Sequence, residues 1–568
     1  MQDIHSTLAS MAEKTPAGLS HAQRTWRINT MNPGSVCSKR LSAGKVAFKG
    51  LTVRAISYLR ALSSGAAVMA LSGCLHVGPE YHAPKPWAPE HYNNADKRSP
   101  ISDPRETAFS AQWWDVFHDA ELTSLENRLV QQNLSFRLAT ANLAQSRAQL
   151  IMAGAERFPG LSASGSYQRS QFSSKFAQEA IGQVGSSLGN GAIGQAAQRA
   201  SSTTEIPQLD QWRDGIDATY EIDLWGRVAH QYDAAKADLA ASDEERRGVL
   251  IAQQADMARA YLTLRGDQTR LQVLEGNLAT LKQFQSLAQA RYRAGLVSEL
   301  DVDAAQGRVH ETESRIAQMG QAVAQEENAV AFLLGNVPGS LHAELSAHPL
   351  PVVPPFVPVG LPSELARRRP DIREAEAKLR GAVAQVGEAT ADFYPKITIS
   401  ADFGFQSLSF RDLGFWNARA WNVGPSISLP IFQGGRLRGQ LALKEYEQKA
   451  AAINYQKTVL QAWHDVDNAL IAYRSEQLNH EGLAKAVADN QRSLSLAKSQ
   501  YRSGLTTYLN VLNAQTQLQS SQLSLAESDC SIATDLARLY NALGGGWESV
   551  LPESDLSKRP LSAVSPGP

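Results

Sequence analysis

Cys74 is the residue whose chemistry is easiest to read. Leu71-Ser72-Gly73 precede it, and small residues before a cysteine suit a signal peptidase, after which the thiol can take a lipid. Residues 61–73 form a short apolar run behind Arg54 and Arg60. The run is too short to cross a bilayer, which takes about 20 residues, and it fits the hydrophobic region of a secretory leader. Residues 1–73 hold nine Lys/Arg against two Asp/Glu, whereas the whole chain has a formal net charge of −1. A basic patch confined to a leader signals targeting and not nucleic acid. A leader ordinarily has about 15–30 residues, so initiation at Met31 or later would also fit.

No other group of residues looks catalytic or metal-binding. Twelve histidines are scattered without a His-Glu-x-x-His, and Gly544-Gly545-Gly546 lacks the Lys-Ser/Thr of a phosphate loop. Paired acids are frequent, as they are on any solvated helix face. Of three cysteines, Cys37 would leave with the leader, Cys74 would be acylated, and Cys530 would pack alone on a helix. The mature chain therefore has no disulfide framework. The expectation is a protein without catalytic residues, metal or cofactor, apart from a covalent lipid on Cys74.

The elements that carry these residues come twice. Residues 224–335 and 433–544 align without a gap at an offset of 209. Gly226-Arg227 falls on Gly435-Arg436, Tyr292-Arg293-Ala294-Gly295-Leu296 on Tyr501-Arg502-Ser503-Gly504-Leu505, and Leu334-Gly335 on Leu543-Gly544. Each copy opens on a helical stretch long enough to span about 100 Å at ~1.5 Å per residue. Leu250, Met257, Leu264, Leu271 and Leu278 recur every seven residues in the first copy. Val459, Val466, Tyr473, His480, Val487, Leu494 and Tyr501 do so in the second. Such spacing implies supercoiling against neighbours. A helical barrel and a filamentous coiled coil fit it equally.

A second alignment, at an offset of 236, pairs the helical stretch 121–157, ended by Phe158-Pro159, with 361–394, ended by Tyr394-Pro395. The first half thus carries 27 extra residues, a Gln-, Ser-, Gly- and Ala-rich surface loop within 171–205. After each proline the period changes from helical to two. Residues 161–168, the run from Ile216 to Leu224, that from Ile397 to Phe405 and that from Val423 to Ile431 alternate apolar with polar. Trp212, Phe410, Phe415, Trp416 and Trp421 cluster near their ends. This is the signature of a membrane β-barrel with its aromatic girdle, although a soluble sandwich looks the same strand by strand. Four strands alone cannot seal a barrel in lipid, so they predict closure by oligomerisation.

Four stretches resemble the bacterial outer-membrane efflux proteins, the TolC-like outer membrane factors, and within them the lipidated NodT/OprM-type subunits. They are the Cys74–Tyr81 segment with Val77-Gly78-Pro79; Trp113-Trp114 with Phe117, Leu122 and Leu125; Leu361 to Arg373, through Arg369-Pro370-Asp371-Ile372, leading to Asp392-Phe393-Tyr394-Pro395; and the paired Tyr-Arg-x-Gly-Leu turns. The resemblance covers about 74–548. It implies a mainly α chain with a membrane β part, built as a homotrimer. Twelve strands, four per protomer, would form one outer-membrane β-barrel continuous with a twelve-helix periplasmic α-barrel. It implies docking on a periplasmic adaptor (a membrane fusion protein) and an inner-membrane RND pump, with passive export of small toxic compounds from a lipid-anchored outer-membrane position. By position it assigns the adaptor-contacting tips to Gly295, Leu296, Val297, Gly504, Leu505 and Thr506. The periplasmic gate falls on Asp301, Tyr501, Leu509, Asn510 and Asn513.

The chain departs from the TolC-like pattern where Asn510 and Asn513 replace acids and Thr506 replaces a latching arginine. The expectation is a mouth held by Tyr501–Asp301 hydrogen bonding and a Leu509 constriction, with Glu299 and Asp303 supplying residual negative charge. A ring poorer in acids predicts weaker cation preference. Two other functions compete: a duct for type I protein secretion, and a coiled-coil scaffold lipoprotein without membrane strands. The expected organisation is a leader (1–73), a lipidated tether with an equatorial segment (74–120), a first repeat (121–340) with a hairpin over 160–224, a second repeat (341–548) with a hairpin over 396–432, and a disordered tail (549–568).

Overall fold

The structure, a computed structural model, describes residues 76–548 except 86–87, 93–98, 108–109 and most of 172–207, together with 550–551. The leader, Cys74, most of the 171–205 insert and nearly all of the tail lie outside the described residues.

Two helices of 67 residues dominate the chain: α3 (Arg227–Arg293) and α7 (Arg436–Arg502). Each starts from a glycine with positive φ, Gly226 or Gly435. Each turns back into a shorter helix, α4 (Glu299–Leu333) or α8 (Tyr508–Leu543). The first-half helical stretch is two helices, α1 (Ala120–Gln132) and α2 (Leu134–Ala155). A single helix over 121–157 fails at Asn133, whose extended backbone lets its side chain accept from Phe136 N at 2.8 Å. Such local capping competes with helix propagation. In the second half, α5 (Leu365–Arg368) and α6 (Pro370–Ala391) divide at Arg369. The extended residue before a proline ends one helix, and Pro370 opens the next.

The helices pack edge to edge as a wall, in the order α2, α3, α6, α7 towards the sheet and α4, α3, α8, α7 towards the turns. Leu250, Met257 and Leu264 of the first heptad series are buried, after which the stripe moves to Leu274, Leu281 and Ala288. In α7 Val459, Val466, Tyr473, Leu494 and Tyr501 of the series are buried, while His480 and Val487 between them are only partly covered. The thickest core lies midway along the rods. Trp113 stacks on Tyr540 (5.3 Å between centroids), and the 340s loop and a short parallel pair, β1 (Asp103–Arg105) with β4 (Phe356–Pro358), wrap outside. Cys530 packs here as a free thiol against the carbonyl of Leu262.

Beyond Pro159 and Pro395 lie β2 (Gly160–Ser170), β3 (Leu209–Ile222), β5 (Lys396–Ser407) and β6 (Arg419–Ser428). They form one antiparallel sheet in the order β2-β3-β5-β6. The strands stop at Ile222 and Ser428, not at 224 and 432. Trp225 and Pro430 begin the return to the helices, and Pro430 lacks the N–H a ladder needs.

Candidate functional site

Cross-strand register sorts the sheet into two faces. On one, Ala163 lies opposite Ile216, Ile216 opposite Phe403, and Phe403 opposite Trp421. Ile222, Ile397 and Ile427 form another such row. On the other face, Ser162, Asp217, Asp402 and Asn422 share a row, and Thr219, Ser400 and Gly424 share the next. The apolar side chains stay outside: Leu161, Ile216, Trp421, Val423 and Ile427 are all more than half exposed. Ile397 to Phe405 covers eight steps, roughly 26 Å along the strand. At a barrel-like tilt that is about 20 Å of height, close to a bilayer's apolar band. No helix among the described residues is long and apolar enough to cross a membrane.

The polar face carries its own charges. Arg213 donates to Asp402 (3.1 Å) and lies 3.8 Å from Asp217, so one guanidinium bridges two carboxylates placed directly opposite each other. One row above, Gly215 faces Gly404. A Cβ at Gly404 would stand 2.0 Å from the Asp214 carbonyl oxygen. At the foot of the sheet, Arg227 grips Glu221 through two 2.8 Å hydrogen bonds, and Lys396 adds a third contact at 2.7 Å. These groups line a cavity of about 190 Å³ with Asp223, Trp225, Asp392 and Tyr394.

The N-terminal segment is tied down at this junction. Val77 N donates to the Trp225 carbonyl (3.2 Å), His230 Nε2 is 2.8 Å from the Val77 carbonyl, and Tyr81 donates to Glu376 (2.9 Å). The start of the expected tether is therefore a strap against α3 and α6. Its course is fixed by polar contacts: the Val77 backbone to Trp225 and His230, and the Tyr81 hydroxyl to Glu376.

At the far end of the rods the two turns share one geometry. Gly295 and Gly504 adopt φ of +70° and +73°. Gly295 N donates to Tyr292 O and Leu296 N to Arg291 O. Gly504 N donates to Tyr501 O and Leu505 N to Gln500 O. These paired bonds define a Schellman end. Leu296, Leu300, Leu505 and Leu509 point into solvent, with Leu505 79% exposed, while Val297, Thr506 and Asp301 are half-buried. Asn510 Nδ2 donates to Thr506 Oγ1 at 2.7 Å, and Asn513 is exposed.

Tyr501 does not make the expected hydrogen bond to Asp301. Its hydroxyl is buried without a hydrogen-bond partner among the described residues. The ring lies under the Arg291 guanidinium (4.1 Å) and beside Tyr508 (5.8 Å), and Arg291 Nη1 donates to the Tyr501 carbonyl at 3.3 Å. The cation holds the ring by its face and so points the hydroxyl into the α7–α8 core. Asp301 acts at longer range. Burial, with the Tyr501 and Asp301 groups adding to it, pushes the Tyr508 phenol up to about 12. Nearby, burial and Arg502 pull the Lys498 ammonium below its usual value.

Arg291 was not among the residues expected at the mouth. The signal for it lies in the duplication: Tyr292 and Tyr501 match, but Arg291 falls on Gln500. The copies diverge where one must clasp the other.

The profile of the family described as outer membrane efflux protein matches residues 125–336 and 361–545. The chain is 32% identical to the antibiotic efflux pump outer membrane protein ArpC of Pseudomonas putida, over 86% of this chain and 95% of that one. It is 26% identical to the probable outer membrane lipoprotein SilC of Salmonella typhimurium, over 86% and 98% respectively. Among solved structures, the outer-membrane channel OprN superposes with a TM-score of 0.74 at 29% identity, over 83% of this chain and 99% of that one. A two-faced sheet at one end of paired rods, matched over both repeats, places this chain in the outer membrane efflux protein family, as an outer-membrane exit channel.

Proposed function

We propose that three copies close into one tube, which passively conducts small toxic compounds delivered by a periplasmic adaptor and an inner-membrane RND pump. The sheet carries this reading. β2 and β6 are both unpaired edges, and the exposed apolar face implies that they lie in hydrocarbon. Unpaired backbone groups are not tolerated there. A β6 edge can pair antiparallel with the β2 edge of the next copy, and three four-stranded sheets then seal. The helices offer a matching seam. Exposed Leu443, Tyr446, Ile453, Leu460, Ile471 and Leu478 run down one flank of the wall, on α7, and exposed Leu134, Leu138 and Met152 down the other, on α2.

Cys74 as the lipidated residue fits the strap. Cys74 comes two residues before His76 in sequence, and the foot of the sheet, where the strap is anchored, exposes Phe158, Ile431 and Phe432 for contact with acyl chains. For the mouth we assign the clasp to Arg291 and Tyr501, the constriction to Leu509, and the lining to Asp301, Asn510 and Asn513. The tips, Gly295, Leu296, Val297, Gly504, Leu505 and Thr506, would meet the adaptor, Leu296 and Leu505 being the most exposed. Native mass spectrometry of the detergent-solubilised protein tests the assembly: a mass of three protomers is expected, and a monomer refutes it. Deletion of the gene followed by a compound screen tests the cargo. Sensitivity to small toxicants is expected, whereas loss of a secreted protein with unchanged sensitivity would overturn it.

A further inference from the structure

Charge on the apolar face of the sheet is confined to its far rim. The row Gly165–Asp214–Phe405–Arg419 is the first to carry any, and the next row towards the helices, Ala163–Ile216–Phe403–Trp421, has none. Arg419 therefore stands at the upper boundary of the lipid-facing band, directly above Trp421. Its guanidinium packs 4.7 Å from the Trp416 ring centroid and donates to the Trp416 carbonyl at 2.7 Å. The β5–β6 connection continues the same surface outwards. Leu408, Phe410, Phe415 and Trp416 are all at least three-fifths exposed, and Arg411 pairs with no acid among the described residues. Asp412 is the only acid on this connection.

A loop meant for water does not present four large apolar side chains, and one meant only for acyl chains does not carry two guanidinium groups. Aromatic rings favour the interfacial layer of a bilayer, and arginine matches phosphate oxygens bidentately. We propose that the 408–421 connection is a docking surface for a phosphate-bearing lipid headgroup of the outer leaflet. Phe410, Phe415 and Trp416 enter the boundary of the acyl chains, and Arg411 and Arg419 bind the phosphate. The surface is continuous with the lipid-facing band, which favours a lipid over a soluble anion. The inference rests on the sheet lying in the outer membrane.

The test uses the full-length protein in a neutral maltoside detergent. It is titrated with bisphosphoryl lipid A and, in parallel, with an uncharged diglycosyl diacylglycerol, with retained lipid read by native mass spectrometry. The phosphorylated lipid should bind at least about tenfold more tightly. Arg411→Gln/Arg419→Gln should remove that preference while leaving the uncharged lipid and the single-channel conductance unchanged. Arg411→Gln alone, at an exposed side chain with no folding role, should remove part of it and guards against misfolding of the double variant. Millimolar inorganic phosphate should not compete. Equal binding of the two lipids, an unchanged preference in the variants, or displacement by inorganic phosphate would each overturn the proposal. A variant with altered conductance and unaltered lipid retention would make the loop a lid over the mouth instead. Failure of the protein to retain either lipid would count against the membrane placement of the sheet, a separate result.

Discussion

Arg291→Ala should open the channel mouth, whereas Tyr501→Phe should not. Arg291, at the end of α3, holds the end of α7 by two contacts: its guanidinium over the Tyr501 ring at 4.1 Å and its hydrogen bond to the Tyr501 carbonyl at 3.3 Å. A half-exposed cation–π contact contributes about 0.5–1 kcal/mol. A long charged hydrogen bond adds roughly another 1 kcal/mol. If the two contacts exist only in the closed mouth, losing about 2 kcal/mol raises the open-to-closed ratio about 30-fold. Tyr501→Phe removes a buried hydroxyl that has no partner among the described residues. It should leave the closed state unchanged or more stable, since an unpaired buried polar group costs about 1–3 kcal/mol. A Tyr501–Asp301 latch predicts the reverse, opening on Tyr501→Phe. Single-channel recording in planar bilayers separates the two. An open probability for Arg291→Ala within about twofold of wild type would refute the clasp, and increased opening of Tyr501→Phe would restore the latch.

The remaining predictions concern charge, fit and protonation. Asn510→Asp with Asn513→Asp should rebuild an acidic ring in the assembled mouth and shift the reversal potential towards cations in a salt gradient, since rings of side-chain charge set preference; an unmoved potential would place these residues off the conduction path. Gly404→Val should abolish assembly, because its first side-chain carbon would stand 2.0 Å from the Asp214 carbonyl oxygen; heat-modifiable migration on gels reads this directly. Glu126 is fully buried with neither carboxyl oxygen hydrogen-bonded, and burial raises its pKa well above 4.5. The folded state therefore binds more protons than the unfolded one, and stability falls as pH rises above about 4.5, by up to ~1.4 kcal/mol per unit until the folded group titrates. Glu126→Met should flatten that slope in thermal melts between pH 5 and 8; parallel slopes would mean the carboxyl is ionised in the native protein. Burial pushes the Cys530 thiol up to about 12. Maleimide should therefore label it in denaturant and not in the native protein.

Much of this architecture could be read from the chain because it is written in repeats and periods. The duplicated Tyr-Arg-x-Gly-Leu turns fix where both rods end, and the Schellman bonds at Gly295 and Gly504 explain why glycine stands there. Alternation over Ile397–Phe405 anticipates the two faces of β5, since a pleated strand has no other way to place its side chains. What stayed hidden depends on contacts between distant segments. The break at Asn133 has a local part, the side-chain cap on α2, but it is secured by donation to the Leu333 carbonyl at 2.8 Å, 200 residues away, which no local pattern shows. The expected tether runs as a strap, but the contacts that hold it, Val77 to His230 and Tyr81 to Glu376, join residues that no window of sequence brings together. The gate residues were placed by family pattern and backbone position. Which of them touch is decided by how α3, α8 and α7 pack side by side along the rods, and no periodicity fixes such a phase to within one side chain.

The duplication also shows how one fold can make a mouth that moves. Tyr292 and Tyr501 occupy equivalent places, one turn before the same glycine end, yet Tyr292 is 45% exposed and Tyr501 only 4%. Two identical hairpins would give a wall with a uniform preference for its neighbours. Here the α7–α8 turn is buried through Tyr501, Tyr508 and Val511, whereas the α3–α4 turn leaves Tyr292, Leu296 and Leu300 in solvent. At the mouth the unlike hairpins share an apolar cluster of Leu281, Ala288, Tyr508 and Val511, and Arg291, which falls on Gln500 in the other copy, adds a polar clasp to it. An aromatic face and a single carbonyl are weak enough to release at about 2 kcal/mol, while the equatorial core around Trp113, Trp114 and Tyr540 stays closed. A splaying of the α7–α8 hairpin from the tip would have to release this clasp and also part the apolar cluster that Leu281 and Ala288 share with Tyr508 and Val511, so the clasp sets only part of the cost of opening.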